Sequence, residues 1–509
     1  MGVKRTAKAV SVIDIGSNFV RMGIYQAGKG GVQPLDTLEY PLRLGHEVFA
    51  EGRVSPGTMR QLVAILRGFS QVMKEYGVAE YRAIAATALR EAENRAFVLD
   101  QIRVQNGLAV EVLEEGRESS LIYSALLRSP HRKEESLLGY VGTGSIGLAV
   151  WRQGAVEQSC SMTMGFLKLS EILRSQEDQT SRFYRVLEEY IDTYFQRVRL
   201  RLGEREASQI LLAGRQLSSI AALCGAKEDK GALVVTRGRI EAAYGRLKSL
   251  SAPVIARELD LPEEVAEQTV PMLAIYRALL DLFHAGKLIA PPASLMDVLA
   301  GQMLLPAEKA AFETAERAGA VASARLLAGQ EGADLRHAER VRENAVLFFG
   351  KLKKLHGISG KRLVLLECAA LLHEAGYPAN VRSAPLAAFD RIRQAYLYGL
   401  GEEETLLVAE IVRAAGLQDE AESVRALPEK QRLLAGKLAA VLALADALDC
   451  ARRGRISEVK VRLEAERLVV SASGREDPLL EKWAFQDAAG FFEAAFGIRP
   501  VLTYKNPLL

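Results

Sequence analysis

The 509-residue chain has only four cysteines. Cys160, Cys224, Cys368 and Cys450 are scattered, with no CxxC pair, so neither a disulfide framework nor a zinc cluster of thiolates is indicated. They are expected to be buried, reduced thiols, which points to the cytoplasm. No run of eighteen apolar residues occurs, which leaves no candidate for a membrane-spanning helix. The first residues carry basic side chains but pass directly into a β-like run, so no secretory leader is expected. A strong charge of either sign is also missing: 66 Lys and Arg face 63 Asp and Glu, a net of +3. Without a basic excess or a recognition motif, nucleic acid is not an expected partner, and any anion site has to be local.

Hydrophobic residues make up 49% of the chain, enough to give each of several domains a core. "VSVIDIGSNFVRMGIY", residues 10–25, predicts a strand, a tight turn and a strand. "SPGTMRQLVAILRGFSQVMKEYG" predicts a capped amphipathic helix, and a strand (81–86) and further helices follow. Then "SLLGYVGTGSIGLAVWRQGAV" repeats the strand, glycine turn and strand about 125 residues later, as an internal duplication does. Two like-folded α/β lobes facing one another across a cleft are the expectation. A third strand-to-helix turn is expected at Ala213–Gly214. Beyond about residue 305 the pattern becomes almost wholly helical, and the last stretch predicts strand, strand, helix, strand.

The sharpest chemical signal is Asp14-Ile15-Gly16-Ser17-Asn18. A carboxylate at the end of a buried strand, before a turn of small residues, lets backbone N–H groups approach a phosphate while Asp14 addresses a metal or its waters. An Asp that merely caps a turn has the same local pattern. The loop Gly142-Thr143-Gly144-Ser145 offers the same amides without an acid.

Together these segments resemble the actin-like ATPase fold, and specifically the exopolyphosphatase / guanosine pentaphosphate phosphohydrolase (Ppx/GppA) family. The resemblance is carried by "AVSVIDIGSNFVRMGIY", "LRLGHEVFAEGRVSP", "AIAATALREAENRAFVLDQI", "VLEEGRESSLIYSALL", "GYVGTGSIGLAV" and "MTMGFLKLSEIL", in the family's order. It implies two actin-like (ribonuclease H-like) lobes, 1–125 and 126–304, an all-α HD-like domain, 305–454, and a small α+β domain, 455–509. It also implies release of a terminal phosphate from polyphosphate or guanosine pentaphosphate with Mg²⁺, no membrane partner, and pairing of two copies of the chain.

Carried over residue by residue, the resemblance makes Gly16, Ser17, Asn18, Gly142, Thr143, Gly144 and Ser145 phosphate donors. Arg90, in "TALREA", becomes a phosphate contact, although a surface cation paired with Glu93 has the same local sequence. Glu118 becomes the base that orients water, although a Glu in a first helical turn is also favoured by the helix dipole alone. The family's other acid before it is replaced by Arg117.

The metal ligands depart from the pattern. The family's second loop has the form Asp-Ile-Gly-Gly-Gly-Ser-x-Glu, and here Tyr140 and Gly147 stand at its acidic positions. A phenol ionising near pH 10 and a residue with no side chain do not replace carboxylates on a hard cation. Asp14 alone remains, so a catalytically weakened member that binds and signals is the alternative to a hydrolase. In the third loop Arg215 adds positive charge without positioning a metal. In the helical region His337, His373, Glu374 and Asp446 stand where HD-type hydrolases place ligands, but Arg391 and Arg393 replace later histidines. No metal is expected there.

Overall fold

The computed structural model describes all residues except 1–7, 30, 163, 166–179, 215, 378–382, 419–426, 465–466 and 506–509. Arg215 and most of "MTMGFLKLSEIL" therefore lie outside the described residues. The chain forms two compact units, 1–316 and 317–509.

The first unit contains two sheets. Strands β1 (Ala9–Ile15), β2 (Phe19–Gly28), β3 (Gly31–Pro41), β4 (Glu80–Ala85) and β5 (Val110–Val112) make the first, in the order β3-β2-β1-β4-β5. The second holds β6 (Glu135–Val141), β7 (Ile146–Arg152), β8 (Ala155–Met162), β9 (Ile210–Ala213), β10 (Lys227–Asp229), β11 (Ala232–Thr236) and β12 (Lys287–Ala290), in the order β10-β11-β12-β9-β6-β7-β8. In each sheet an antiparallel meander, β3-β2-β1 or β8-β7-β6, continues into a parallel strand, β4 or β9. The duplication expected from the sequence is thus a duplication of topology.

β1 is buried along its whole length because helices cover both faces of the sheet. On one side Leu62, Leu66 and Phe69 of the helix Pro56–Glu75 pack with Ile13, Ile15 and Met22. That helix starts where expected, with Ser55 as its cap: the Ser55 hydroxyl accepts from the Thr58 amide. On the other side Met296, Val298, Leu299 and Ala300 of the helix Leu295–Leu304 pack with Val10 and Val12. Val10, Val12, Ile13 and Ile15 therefore face opposite layers by simple alternation.

The second unit is mainly helical. The helices Leu335–Lys351, Leu363–Leu372, Glu402–Leu417 and Glu429–Ala447 share one apolar core. Strands β13 (Glu458–Leu463), β14 (Arg467–Ser473) and β15 (Arg499–Lys505), with the helix Leu479–Phe496, form the terminal α+β piece in the expected order.

Candidate functional site

Both glycine turns are built alike. The Gly16 amide donates to Phe19 O at 3.0 Å, and the Gly142 amide donates to Ser145 O at 2.8 Å. Each bond closes a four-residue loop between paired strands, Ile15 opposite Val20 and Val141 opposite Ile146. Superposing the two registers puts Asp14 and Arg21 of the first hairpin where the second has Tyr140 and Gly147.

The turns meet across a cavity of about 270 Å³. Asp14, Gly16, Ser17, Asn18, Gly142, Thr143, Ser145, Glu118 and Tyr140 line it, together with Arg21, Thr87 and Gln216. Thr143 Oγ1 donates to Ser17 Oγ at 2.8 Å, so a hydrogen bond joins one loop to the other. The amides of Ser17, Asn18 and Thr143 have no partner among the described residues, whereas those of Gly16 and Gly142 are committed to the turns. Asn18 Oδ1 and Gln216 Oε1 are buried acceptors without a hydrogen bond. Such groups are costly to bury and mark where water or a ligand belongs. Gly144 lies behind the cavity lining: a Cβ there would stand 2.6 Å from Thr87 Cγ2 and 2.8 Å from Phe49, so only glycine fits.

Glu118 sits in the first turn of the helix Glu115–Leu126. Arg90 Nη1 lies 3.2 Å from its carboxylate, and the same guanidinium donates to Leu113 O at 2.6 Å and Thr87 Oγ1 at 3.1 Å. Burial pushes the Glu118 carboxyl above its ordinary range, against the pull of Arg90. Arg90 thus pairs with Glu118 and not with Glu93, and it stands behind that carboxylate instead of among the lining residues. Arg117 turns away from the cavity, forming an ion pair with Glu316 and lying over the Phe312 ring.

Arg21 is a cavity cation that no motif had indicated. It forms an ion pair with Asp14 from the directly opposed position on β2. The signal was the hairpin register itself, in which residues 14 and 21 are cross-strand neighbours.

The second hairpin shows why its acids are gone together. Tyr140 is buried, and its hydroxyl lies 3.2 Å from Ser119 Oγ and 3.3 Å from Ser161 Oγ. Burial, then the nearby Glu118 charge, push its pKa further up, so it is a neutral phenol at every physiological pH. A Cβ on Gly147 would stand 2.1 Å from Tyr140 Cε1 and 2.8 Å from Tyr123 Oη. The ring therefore occupies the space that a side chain at 147 needs. Glu115, donated to by Ser161 Oγ, is a carboxylate behind this ring that sequence reasoning also missed.

The donor set for a hard divalent ion is accordingly poor. Asp14 is neutralised by Arg21, Glu118 by Arg90, and Tyr140 and Gly147 offer no charge. Among the described residues, no cluster of three metal-ligating groups occurs in this cavity. What the cavity provides instead is unpaired amides, hydroxyls and one arginine, Arg21, held against Asp14.

A profile described as the Ppx/GppA phosphatase family matches residues 23–304, and one described as domain III of Ppx/GppA phosphatase matches 321–482. Exopolyphosphatase 1 of Mycobacterium tuberculosis is 24% identical over 220 residues, 43% of this chain and 64% of that protein. Its counterpart in Mycobacterium leprae is 25% identical over a match of the same length, 65% of that protein. The chain thus spans somewhat under two thirds of these relatives. Among solved structures, the Aquifex aeolicus Ppx/GppA family member is 21% identical, with a TM-score of 0.51 over 59% of this chain and 99% of that one. An exopolyphosphatase from Cytophaga hutchinsonii is 18% identical, with a TM-score of 0.51 over 58% and 97%. The two-lobed α/β unit has the actin-like ATPase fold of these structures. With profiles covering both the cleft-bearing unit and most of the helical one, the chain belongs to the Ppx/GppA phosphatase family.

Proposed function

We propose that the cleft binds the terminal phosphoryl group of a phosphoanhydride, inorganic polyphosphate or guanosine pentaphosphate, and hydrolyses its anhydride bond with Glu118 orienting the attacking water. The observation that carries this reading is the pair of matching loops, whose Ser17, Asn18 and Thr143, with amides unpaired among the described residues, line one cavity beside Glu118. Unpaired amides of this kind bind phosphoryl oxygens at fixed positions, and fixed donors need no reorganisation as charge shifts in the transition state.

Arg90 has two parts in this scheme. Its charge opposes the upward push that burial gives the Glu118 carboxyl, and its bonds to Leu113 O and Thr87 Oγ1 fix the direction of the guanidinium that holds the carboxylate. Arg21 and the loop amides supply the positive field toward the bound oxygens. Members of the family generally act with a divalent metal. The residues present here do not fit one, and the mechanism proposed uses none. Since metal stabilisation of phosphoryl transfer is worth several kcal/mol, turnover is expected to be slower by about a thousandfold or more, at roughly 1.4 kcal/mol per tenfold.

A second reading, that of a binding protein that signals its phosphate ligand, is favoured by the Tyr140 ring closing over Gly147. Phosphate release from long-chain polyphosphate by the full chain and by Glu118→Gln separates the two. Turnover above the variant supports hydrolysis. Binding of polyphosphate without turnover above the variant supports the second reading, and absence of binding overturns both.

A further inference from the structure

The cleft holds two polar atoms that a phosphate site built of donors does not need. Asn18 Oδ1 and Gln216 Oε1 belong to residues that line the cavity, and each is buried without a hydrogen bond among the described residues. Both are acceptors, whereas the donors for an anion are already supplied by the Ser17, Asn18 and Thr143 amides. A bare phosphoryl oxygen offers nothing to an acceptor; a protonated one donates to it.

Gln216 is held in place by its surroundings. It follows the third glycine turn, Ala213–Gly214, at the end of β9 and precedes the helix Leu217–Leu223. That turn is packed onto the second loop: a Cβ on Gly214 would stand 2.9 Å from Val141 O. Gln216 Nε2 donates to Gln268 Oε1 at 3.2 Å, and Gln268 is itself buried on the helix Glu263–Leu282. Turned over, the Gln216 amide would set two oxygens together at that contact, so its oxygen is the end left without a donor. Asn18 is tied down through its backbone, where its carbonyl accepts from the Leu42 amide at 2.9 Å.

The charges in the cleft favour the same ligand. Its ionisable lining residues are Asp14, Arg21, Glu118 and Tyr140. Asp14 pairs with Arg21, Glu118 pairs with Arg90 behind it, and Tyr140 is a neutral phenol. Carboxylates and guanidinium groups therefore balance, and a phosphoryl dianion would be desolvated with only loop amides to compensate it. A phosphoryl group that keeps one proton brings one charge fewer.

Resting on the assignment of the cleft to a terminal phosphoryl group, we propose that Asn18 Oδ1 and Gln216 Oε1 accept the hydrogen bond of a protonated phosphoryl oxygen, so that the cleft selects the monoprotonated end of a phosphoanhydride chain. The second proton of a phosphate monoester leaves at about pH 6. Phosphoryl groups inside a chain have no such proton, so acceptors at these positions distinguish an end from an interior by its O–H. In a cleft whose residues do not fit a divalent ion, that proton also supplies part of the neutralisation.

The test is titration of the full-length chain with inorganic phosphate and with sulfate, at fixed ionic strength with chelator present, from about pH 6 to 8.5. Sulfate has the same shape and remains an unprotonated dianion throughout. At pH 6 phosphate is expected to bind roughly tenfold to a hundredfold more tightly than sulfate, the effect of satisfying a buried acceptor. The ratio should fall toward one as phosphate loses its second proton. Any charge change on Asp14 or Glu118 acts on both anions alike and cancels in the ratio. Gln216→Leu should abolish the preference by weakening phosphate at pH 6 and leaving sulfate unchanged, and Gln268→Leu, which releases the Gln216 amide, should lower it. A wild-type ratio near one at pH 6, or phosphate bound more tightly as it deprotonates, overturns the proposal and leaves the cleft reading standing. Equal weakening of both anions by Gln216→Leu also overturns it, by making that side chain a donor. Binding of neither anion overturns the cleft reading and the proposal with it.

Discussion

Tyr140 and Gly147 face each other across the β6–β7 ladder, and their coupling gives a quantitative prediction. Gly147→Glu alone places a Cβ 2.1 Å from Tyr140 Cε1 and 2.8 Å from Tyr123 Oη, against two buried rings. Overpacking of this kind costs about 1–3 kcal/mol before the buried carboxylate is counted. Tyr140→Asp alone removes a buried ring and leaves a cavity and an unpaired charge, a loss of roughly 3–5 kcal/mol. The double variant puts the new side chain into the vacated space, so its cost should fall short of the sum by on the order of 1–3 kcal/mol, the coupling expected of residues in contact. It also restores a carboxylate at each of the two positions. Magnesium at a hundred times its dissociation constant should then return about 2.7 kcal/mol to the double variant and nothing to wild type. Thermal unfolding of wild type, both single variants and the double variant, with and without magnesium, reads every term, and phosphate release from polyphosphate follows the same series. A Gly147→Glu protein that melts like wild type, or strictly additive losses, would refute the reasoning that the ring fills the acid's place.

Glu118→Gln should lower phosphate release by roughly 10²–10⁴-fold with little change in polyphosphate binding, measured by initial rates beside a binding titration. Because burial raises the Glu118 pKa while Arg90 lowers it, Arg90→Gln should shift the acid limb of the pH–rate profile to higher pH; a limb that stays in place removes Arg90 from that role. In stability the raised pKa has the matching sign. Its folded form holds the proton longer than the unfolded chain, so between the ordinary Glu value and the raised one stability declines with rising pH, and Glu118→Gln should flatten that decline in pH-dependent melting. Arg21→Gln should weaken polyphosphate binding about tenfold, the worth of one charge-assisted contact to phosphate, read by titration at fixed salt. Unchanged affinity would place Arg21 outside the binding field.

Much of the fold was legible because local rules and tertiary packing agree in it. The alternation in Ala9–Ile15 and the 3.6-residue spacing in Pro56–Glu75 each point at the layer they bury. The two glycine turns were visible as a repeated phrase, and the structure gives them the same i to i+3 bond. Arg21 was missed because its meaning lies in register: only pairing β1 with β2 sets it opposite Asp14. Arg90 was assigned outward to phosphate, since a motif names a residue type at a position and not the direction of its guanidinium. The structure turns it onto Glu118 through Leu113 O and Thr87.

The sequence by itself determined the duplicated strand-turn-strand chemistry, the loss of acids at 140 and 147, and the change to helix after the lobes, because these depend on residue type and short-range period. Only the tertiary structure decided that Tyr140 fills the space above Gly147, that Glu118 is buried against Arg90, and that His337, His373 and Asp446 converge. Those facts join residues from 7 positions apart on one strand ladder, Tyr140 and Gly147, to 109 apart on separate helices, His337 and Asp446. Burial, electrostatic neighbours and lone-pair direction are properties of the packed chain, and no window of sequence contains them.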